Sequence, residues 1–133
     1  HNGRRRQRQM CIRDRFTPDV TWAVTGFAHT IDDGHTHYNP KLPVYNERLL
    51  EGVNTLSSPS ILAVRNGLGE YFDEKLVMLM DCDMYYRLYT MLGHPVVLKD
   101  IHISNREHPN QTQRSNDHLI PKEIEYLKKK HLL

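Results

Sequence analysis

Apolar and polar positions fall into blocks along this chain, and the blocks shift from strand-like to helix-like spacing and back. Residues 19–27 (DVTWAVTGF) are rich in β-branched and aromatic side chains and predict a strand ending at Gly26. Residues 29–43 are polar and contain Asp33-Gly34, Asn39-Pro40 and Leu42-Pro43, three turn signals that predict a loop. Over 45–53, Leu49, Leu50 and Val53 share one face of a short helix. Residues 54–59 read as loop again, and 60–65 (SILAVR) predict a buried strand turned by Asn66-Gly67.

Residues 72–80 alternate and then run apolar, ending at the acidic pair Asp81 and Asp83. Beyond them Met84, Leu88, Met91 and Leu92 recur at i, i+4, i+7 and i+8, the stripe of an amphipathic helix. Either aspartate suits the helix start as a cap, and Gly93 suits the position after its end. Residues 95–98 (PVVL) predict a short strand, followed by an irregular polar segment to about 116. A last helix is predicted over 121–131, with Pro121 in its first turn and Lys128, Lys129 and Lys130 in its last. This order predicts an α/β fold of three or four strands. A sheet that small leaves an edge or face uncovered, as half of a larger domain would.

Composition changes the picture at one end only. The chain has 133 residues, with 38% hydrophobic and 26% charged, ordinary for one globular domain. No apolar run approaches the roughly 20 residues of a membrane span, and the N-terminus lacks the apolar stretch of a secretory signal. Cys11 and Cys82 make no disulfide framework, which points to a reducing, cytoplasmic setting. The formal charge of +2 conceals an asymmetry: residues 1–15 hold six arginines against Asp14, leaving 12 basic and 15 acidic side chains over 16–133. Such a block is a candidate nucleic-acid arm, although it lacks interleaved aromatics. The string RRRQRQMCIRDR also resembles translated sequencing-adapter read-through from assembled metagenomes. On that reading 1–15 is non-native or disordered and stands outside the fold, which leaves 16–116 as the body and 117–133 as a C-terminal helix.

The densest chemical signal is 69–100, GEYFDEKLVMLMDCDMYYRLYTMLGHPVVLKD. It holds Gly-x-x-Phe-Asp-Glu, an Asp-x-Asp pair nine residues past that Phe, Arg87, and a Gly-x-Pro turn into a strand. A carboxylate held within reach of an acceptor hydroxyl and partly shielded from water is a suitable general base. Asp81, behind the apolar run LVMLM and at a helix start, meets that description. Burial there and the helix dipole act on its ionisation in opposite senses.

This arrangement resembles the second half of family-2 glycosyltransferases, where a Gly-Phe-Asp-Glu segment leads to a Glu-Asp-x-Asp box and a helix bearing Arg-Leu. SILAVRN upstream looks like the preceding strand, and Asn105-Arg106-Glu107-His108 resembles the Arg-x-His element after the last core strand. The likeness covers about 22–112, with Met80 standing where the family has Glu. It implies an incomplete GT-A, Rossmann-like fold: the C-terminal, acceptor-side half, without the nucleotide pocket. The intact enzyme would transfer a sugar from a nucleotide-sugar donor to a glycan or other hydroxyl acceptor with inversion. In that reading Asp81 is the base, Asn54, Ser58, Asp83 and Arg106 contact substrate, and His108 meets the metal or diphosphate. Mg²⁺ or Mn²⁺ would be held mainly by an Asp-x-Asp motif in the absent half, so this chain alone is expected to be inactive.

Two other classes compete. His29, Asp32, Asp33, His35 and His37 form a cluster with a His-x-His pair, as in metal-dependent hydrolases, but no further zinc spacing completes it. On the glycosyltransferase reading His29 and the 32–37 loop border the acceptor cleft. A non-catalytic nucleic-acid-binding or structural module is the third class.

Overall fold

The computed structural model describes residues 19–109 and 116–133, so the arginine block and Cys11 lie outside the described residues. Four strands, β1 (Trp22–Thr30), β2 (Tyr38–Lys41), β3 (Leu62–Val64) and β4 (Val96–Arg106), form one mixed sheet. Two helices, α1 (Met80–Leu92) and α2 (Ile120–Lys130), and short 3-10 turns at Glu47–Glu51, Pro59–Ile61 and Asp117–Leu119 complete the chain. Among the described residues no helix is long and apolar enough to cross a membrane.

β1 is the centre of the sheet. β4 runs parallel to it from Ala23↔Val96 to Thr30↔Arg106. The other edge is divided, with β3 antiparallel to residues 22–24 and β2 antiparallel to residues 27–29. A strand enclosed on both edges and both faces has no solvent side, so seven consecutive residues, 22–28, are buried and the period-2 pattern disappears. Trp22, Val24 and Phe27 enter the core with Leu49 and Leu50 of the first 3-10 turn, Ile103 of β4 and Leu127 of α2.

The expectation of a mixed α/β chain with a small sheet is met, and three local differences have physical causes. β2 falls inside the predicted loop. Its four residues are all exposed and include Pro40, and Asn39 adopts a left-handed φ of 53° beside a register shift. Proline is tolerated there because β2 is an edge strand. β4 extends eight residues beyond the predicted 95–98 strand. Register shifts around Gly26 bring both Leu98 and Ile103 inward although an odd number of positions separates them, so no alternation is visible in the sequence. The 45–53 helix is only a 3-10 turn, ended by Gly52 at φ 87°.

α1 follows the predicted span, but its buried face is Cys82, Asp83, Met84, Tyr85 and Leu88, and Met91 is 48% exposed. The Trp22 indole donates to the Gly93 carbonyl at 3.0 Å, locking the end of α1 onto β1.

Gly26 is a point of close approach between β1 and β4. A Cβ there would lie 2.7 Å from Ile101 Cδ1, 2.9 Å from the Asp100 carbonyl oxygen and 3.2 Å from Leu42 Cδ2. The same carbonyl accepts from the Thr25 hydroxyl at 3.0 Å, so it has little freedom to retreat. Gly26→Ala is expected to cost about 1–3 kcal/mol by overpacking, measured by urea unfolding. Wild-type stability would mean that β4 yields at no cost.

Candidate active site

The start of α1 decides the site. Leu79 occupies the N-cap position without a side-chain cap, so neither Asp81 nor Asp83 fills that role. Asp81 stands in the first turn. Its Oδ1 accepts from the Cys82 N–H at 2.8 Å, and its Oδ2 accepts from Asn54 Nδ2 at 2.9 Å.

The orientation of Asn54 is fixed by its own loop. Its Oδ1 accepts from the Leu56 and Ser57 N–H groups, each at 3.0 Å, which leaves Nδ2 to serve the Ser57 carbonyl and Asp81. Ser57 holds a left-handed φ of 87°, a costly conformation for a serine. The loop is pinned from two sides. Tyr85, one turn beyond Asp81, donates its hydroxyl toward the Ser57 and Ser58 carbonyls at 3.1 and 2.9 Å. Asn105 of β4 donates to Ser57 Oγ at 2.9 Å and accepts from Ser58 Oγ at 3.3 Å.

Asp81 opens onto a cleft of about 1030 Å³ that Asn54, Ser57, Ser58, Asn105, Arg106 and Glu107 also line. Burial pushes the Asp81 carboxyl above its ordinary value, against the pull of the Cys82 N–H and the Asn54 amide. Of the two opposing influences at this position, desolvation is the stronger. The adjacent Cys82 thiol is buried and pushed well up, so it is not a nucleophile at neutral pH.

Asp83 belongs elsewhere. Its side chain is fully buried and lies outside the cleft lining. Oδ2 meets Arg87 Nε at 3.0 Å and Lys130 Nζ at 2.9 Å, and Oδ1 meets His131 Nε2 at 2.7 Å. Arg87 also pairs with Glu70. The resemblance implies a substrate contact at Asp83, and the structure gives this carboxylate protein partners instead: Arg87, Lys130 and His131. His108 is exposed past the end of β4 and does not line the cleft.

The histidine cluster is dispersed. His29 lines the cleft, with Nδ1 3.2 Å from Glu107 Oε1 and its ring against Tyr38 and Phe27. His37 reaches Ser104 at 2.8 Å. Asp32 caps its own turn through Thr30 and Thr36, and the Thr36 hydroxyl and amide draw its carboxyl down to about 2. Asp33 pairs with Arg106 at 2.9 Å on the surface. Among the described residues no three His, Cys, Asp or Glu side chains stand together as a metal site.

Sequence reading missed Tyr85, whose place on the helix gives no sign of the loop it reaches. Ser57 lay within the polar 54–59 loop, and Asn105 and Glu107 within the quoted Asn105-Arg106-Glu107-His108 element, but none had an assigned part; only three-dimensional contact reveals what they do.

Two stability effects of opposite sign follow. An acid whose folded pKa is raised loses stability as pH climbs from the unfolded value toward the folded one, and the loss is complete above it. Asp81→Asn is therefore expected to raise Tm at pH 7, with no gain below about pH 4, read by thermal unfolding at the two pH values. Asp83→Ala leaves Arg87, Lys130 and His131 without their shared anion and is expected to cost about 3–5 kcal/mol in urea unfolding. If both substitutions moved stability the same way, the division of roles between the two aspartates would be wrong.

No protein-family model matches this chain, and neither does a curated protein or a solved structure.

Proposed function

We propose that this chain is the acceptor-side half of a glycosyltransferase of the family-2, GT-A type, and that Asp81 is the general base of the intact enzyme. One observation carries the proposal most: a desolvated carboxylate, oriented by Asn54, opens onto a cleft lined by polar side chains from four other segments. Desolvation raises the proton affinity of the carboxylate, which suits a base that must take a proton from an alcohol.

In the reaction, Asp81 removes the acceptor hydroxyl proton as that oxygen attacks the anomeric carbon of the donor. The new C–O bond forms on the face opposite the breaking bond to the diphosphate, so the configuration inverts. The pair of electrons of the breaking bond leaves with the nucleoside diphosphate. Asn54 contributes by holding the proton-accepting carboxylate in place. Ser58 and Arg106 line the same cleft and supply donors for sugar hydroxyls or leaving-group charge.

The resemblance calls for Mg²⁺ or Mn²⁺, but the described residues do not group into a site for one, and His108 alone does not make one. The resemblance assigns that ion to the Asp-x-Asp motif of the nucleotide-binding half.

The test uses a polypeptide that carries the nucleotide-binding half as well. Asp81→Asn is expected to lower transfer by about 10²–10⁴-fold while nucleotide binding is kept. In the unsubstituted enzyme kcat/KM should fall with acidification through a pKa above the ordinary Asp value of about 3.9. Transfer that survives Asp81→Asn, or sugar transfer by the present chain alone, would overturn the proposal.

A further inference from the structure

The helix that bears Asp81 begins at Leu79 without a side-chain cap, and the two residues just before that position are held by α2. Glu123, in the first turn of α2, is 7% exposed, and its carboxylate accepts from two successive backbone amides, Val77 and Met78. Met78 N–H lies 3.1 Å from Oε1 and 2.9 Å from Oε2. A buried carboxylate is tolerated only where donors surround it, and here the donors are the chain that leads into α1. Val77, Met78, Leu79, Met80 and Asp81 are consecutive, and all of them line the cleft together with Ile120 of α2. Two residues separate the last amide held by Glu123 from the carboxylate that faces the cleft.

The far end of α2 grips the same segment on either side. Tyr126 and Lys130 bond Asp73 at 2.7 and 2.8 Å, and Lys130 and His131 bond Asp83. These outer grips hold the helices together. The Glu123 grip is different, because it acts on the backbone of the cleft wall itself.

We infer that Glu123 is a positioning residue for Asp81: by binding the Val77 and Met78 amides it fixes where the α1 entry runs and keeps the Asp81 carboxylate out of bulk water at the cleft wall. The functional weight of this inference rests on the proposed role of Asp81, but the physical coupling does not.

The present chain suffices for the experiment. Hydrogen exchange in the unsubstituted protein should show the Val77 and Met78 amides protected. Exchange as free as that of an open loop overturns the inference without any variant. Glu123→Gln, nearly isosteric, weakens both bonds and is expected to speed exchange at Met78 by about tenfold or more. Carbon-13 NMR of the Asp81 side-chain carboxyl then separates positioning from mere stability. In Glu123→Gln the Asp81 titration midpoint should drop by roughly half a pH unit or more as water enters. In Lys130→Gln, which loosens α2 from Asp73 and Asp83, the Tm should fall with the Asp81 midpoint unchanged. An unmoved midpoint in Glu123→Gln, or an equal shift in both variants, overturns the inference. Loss of transfer is not the readout, so a midpoint that moves as stated in an enzyme indifferent to Asp81→Asn would leave the coupling standing and sink only the catalytic role.

Discussion

A carboxylate taken wholly out of water costs several kcal/mol unless opposite charges and donors replace the solvent. Asp83 meets that constraint with Arg87 from its own helix and with Lys130 and His131 from the end of α2. These contacts fix the rotation of α1 about its axis, because only one face can offer Asp83 to those three side chains. At about 100° per residue, Asp81 then points some 200° away from Asp83, toward the opposite side of the helix. The cleft carboxylate is thus aimed by the burial of its neighbour. An Asp-x-Asp pair on a strand would set both acids on one face, and on a helix it separates them into a buried member and a cleft member.

The same separation explains how far the site could be read from the sequence. α1 and α2 were legible because helical spacing, Gly93 and Pro121 agree with one another. The apolar, β-branched run of β1 was legible as a strand. β2 was hidden by turn residues that here form an exposed edge, and most of β4 by register shifts that scramble its alternation. Asp81 stood out through its surroundings in the chain. For Asp83 only the pairing with Arg87, one helical turn on, was legible; Lys130 and His131 lie 47 and 48 positions away, and lysine near a helix C-terminus has an ordinary explanation in the helix dipole. Glu123 likewise reads as a first-turn acid on α2, and only the fold directs it to another segment's backbone.

The cleft combines two kinds of order. One wall is a loop whose conformation is settled by side chains that bond backbone: Asn54 to the Leu56 and Ser57 amides, and Tyr85 to two carbonyls. The other includes the last residues of β4, held by pairing with β1 through Arg106. Asp81 sits between a mobile-prone sequence made rigid and a strand end that is rigid by pairing. A carboxylate so framed keeps its hydrogen-bond geometry without help from a ligand, which is the pre-organisation that general-base chemistry uses.

The central place of β1 also has a consequence for how the chain is made. All three of its partners lie downstream, and the longest of them, β4, begins only at Val96. During synthesis the segment WAVTGFA leaves the ribosome well before the strand that will occupy its second edge. It is apolar, uncharged, rich in β-formers and free of proline, the composition that pairs readily with other chains. Parallel pairing over such a separation is slow to form. The residues that give the finished sheet its centre are therefore the ones most exposed to misassembly in the nascent polypeptide.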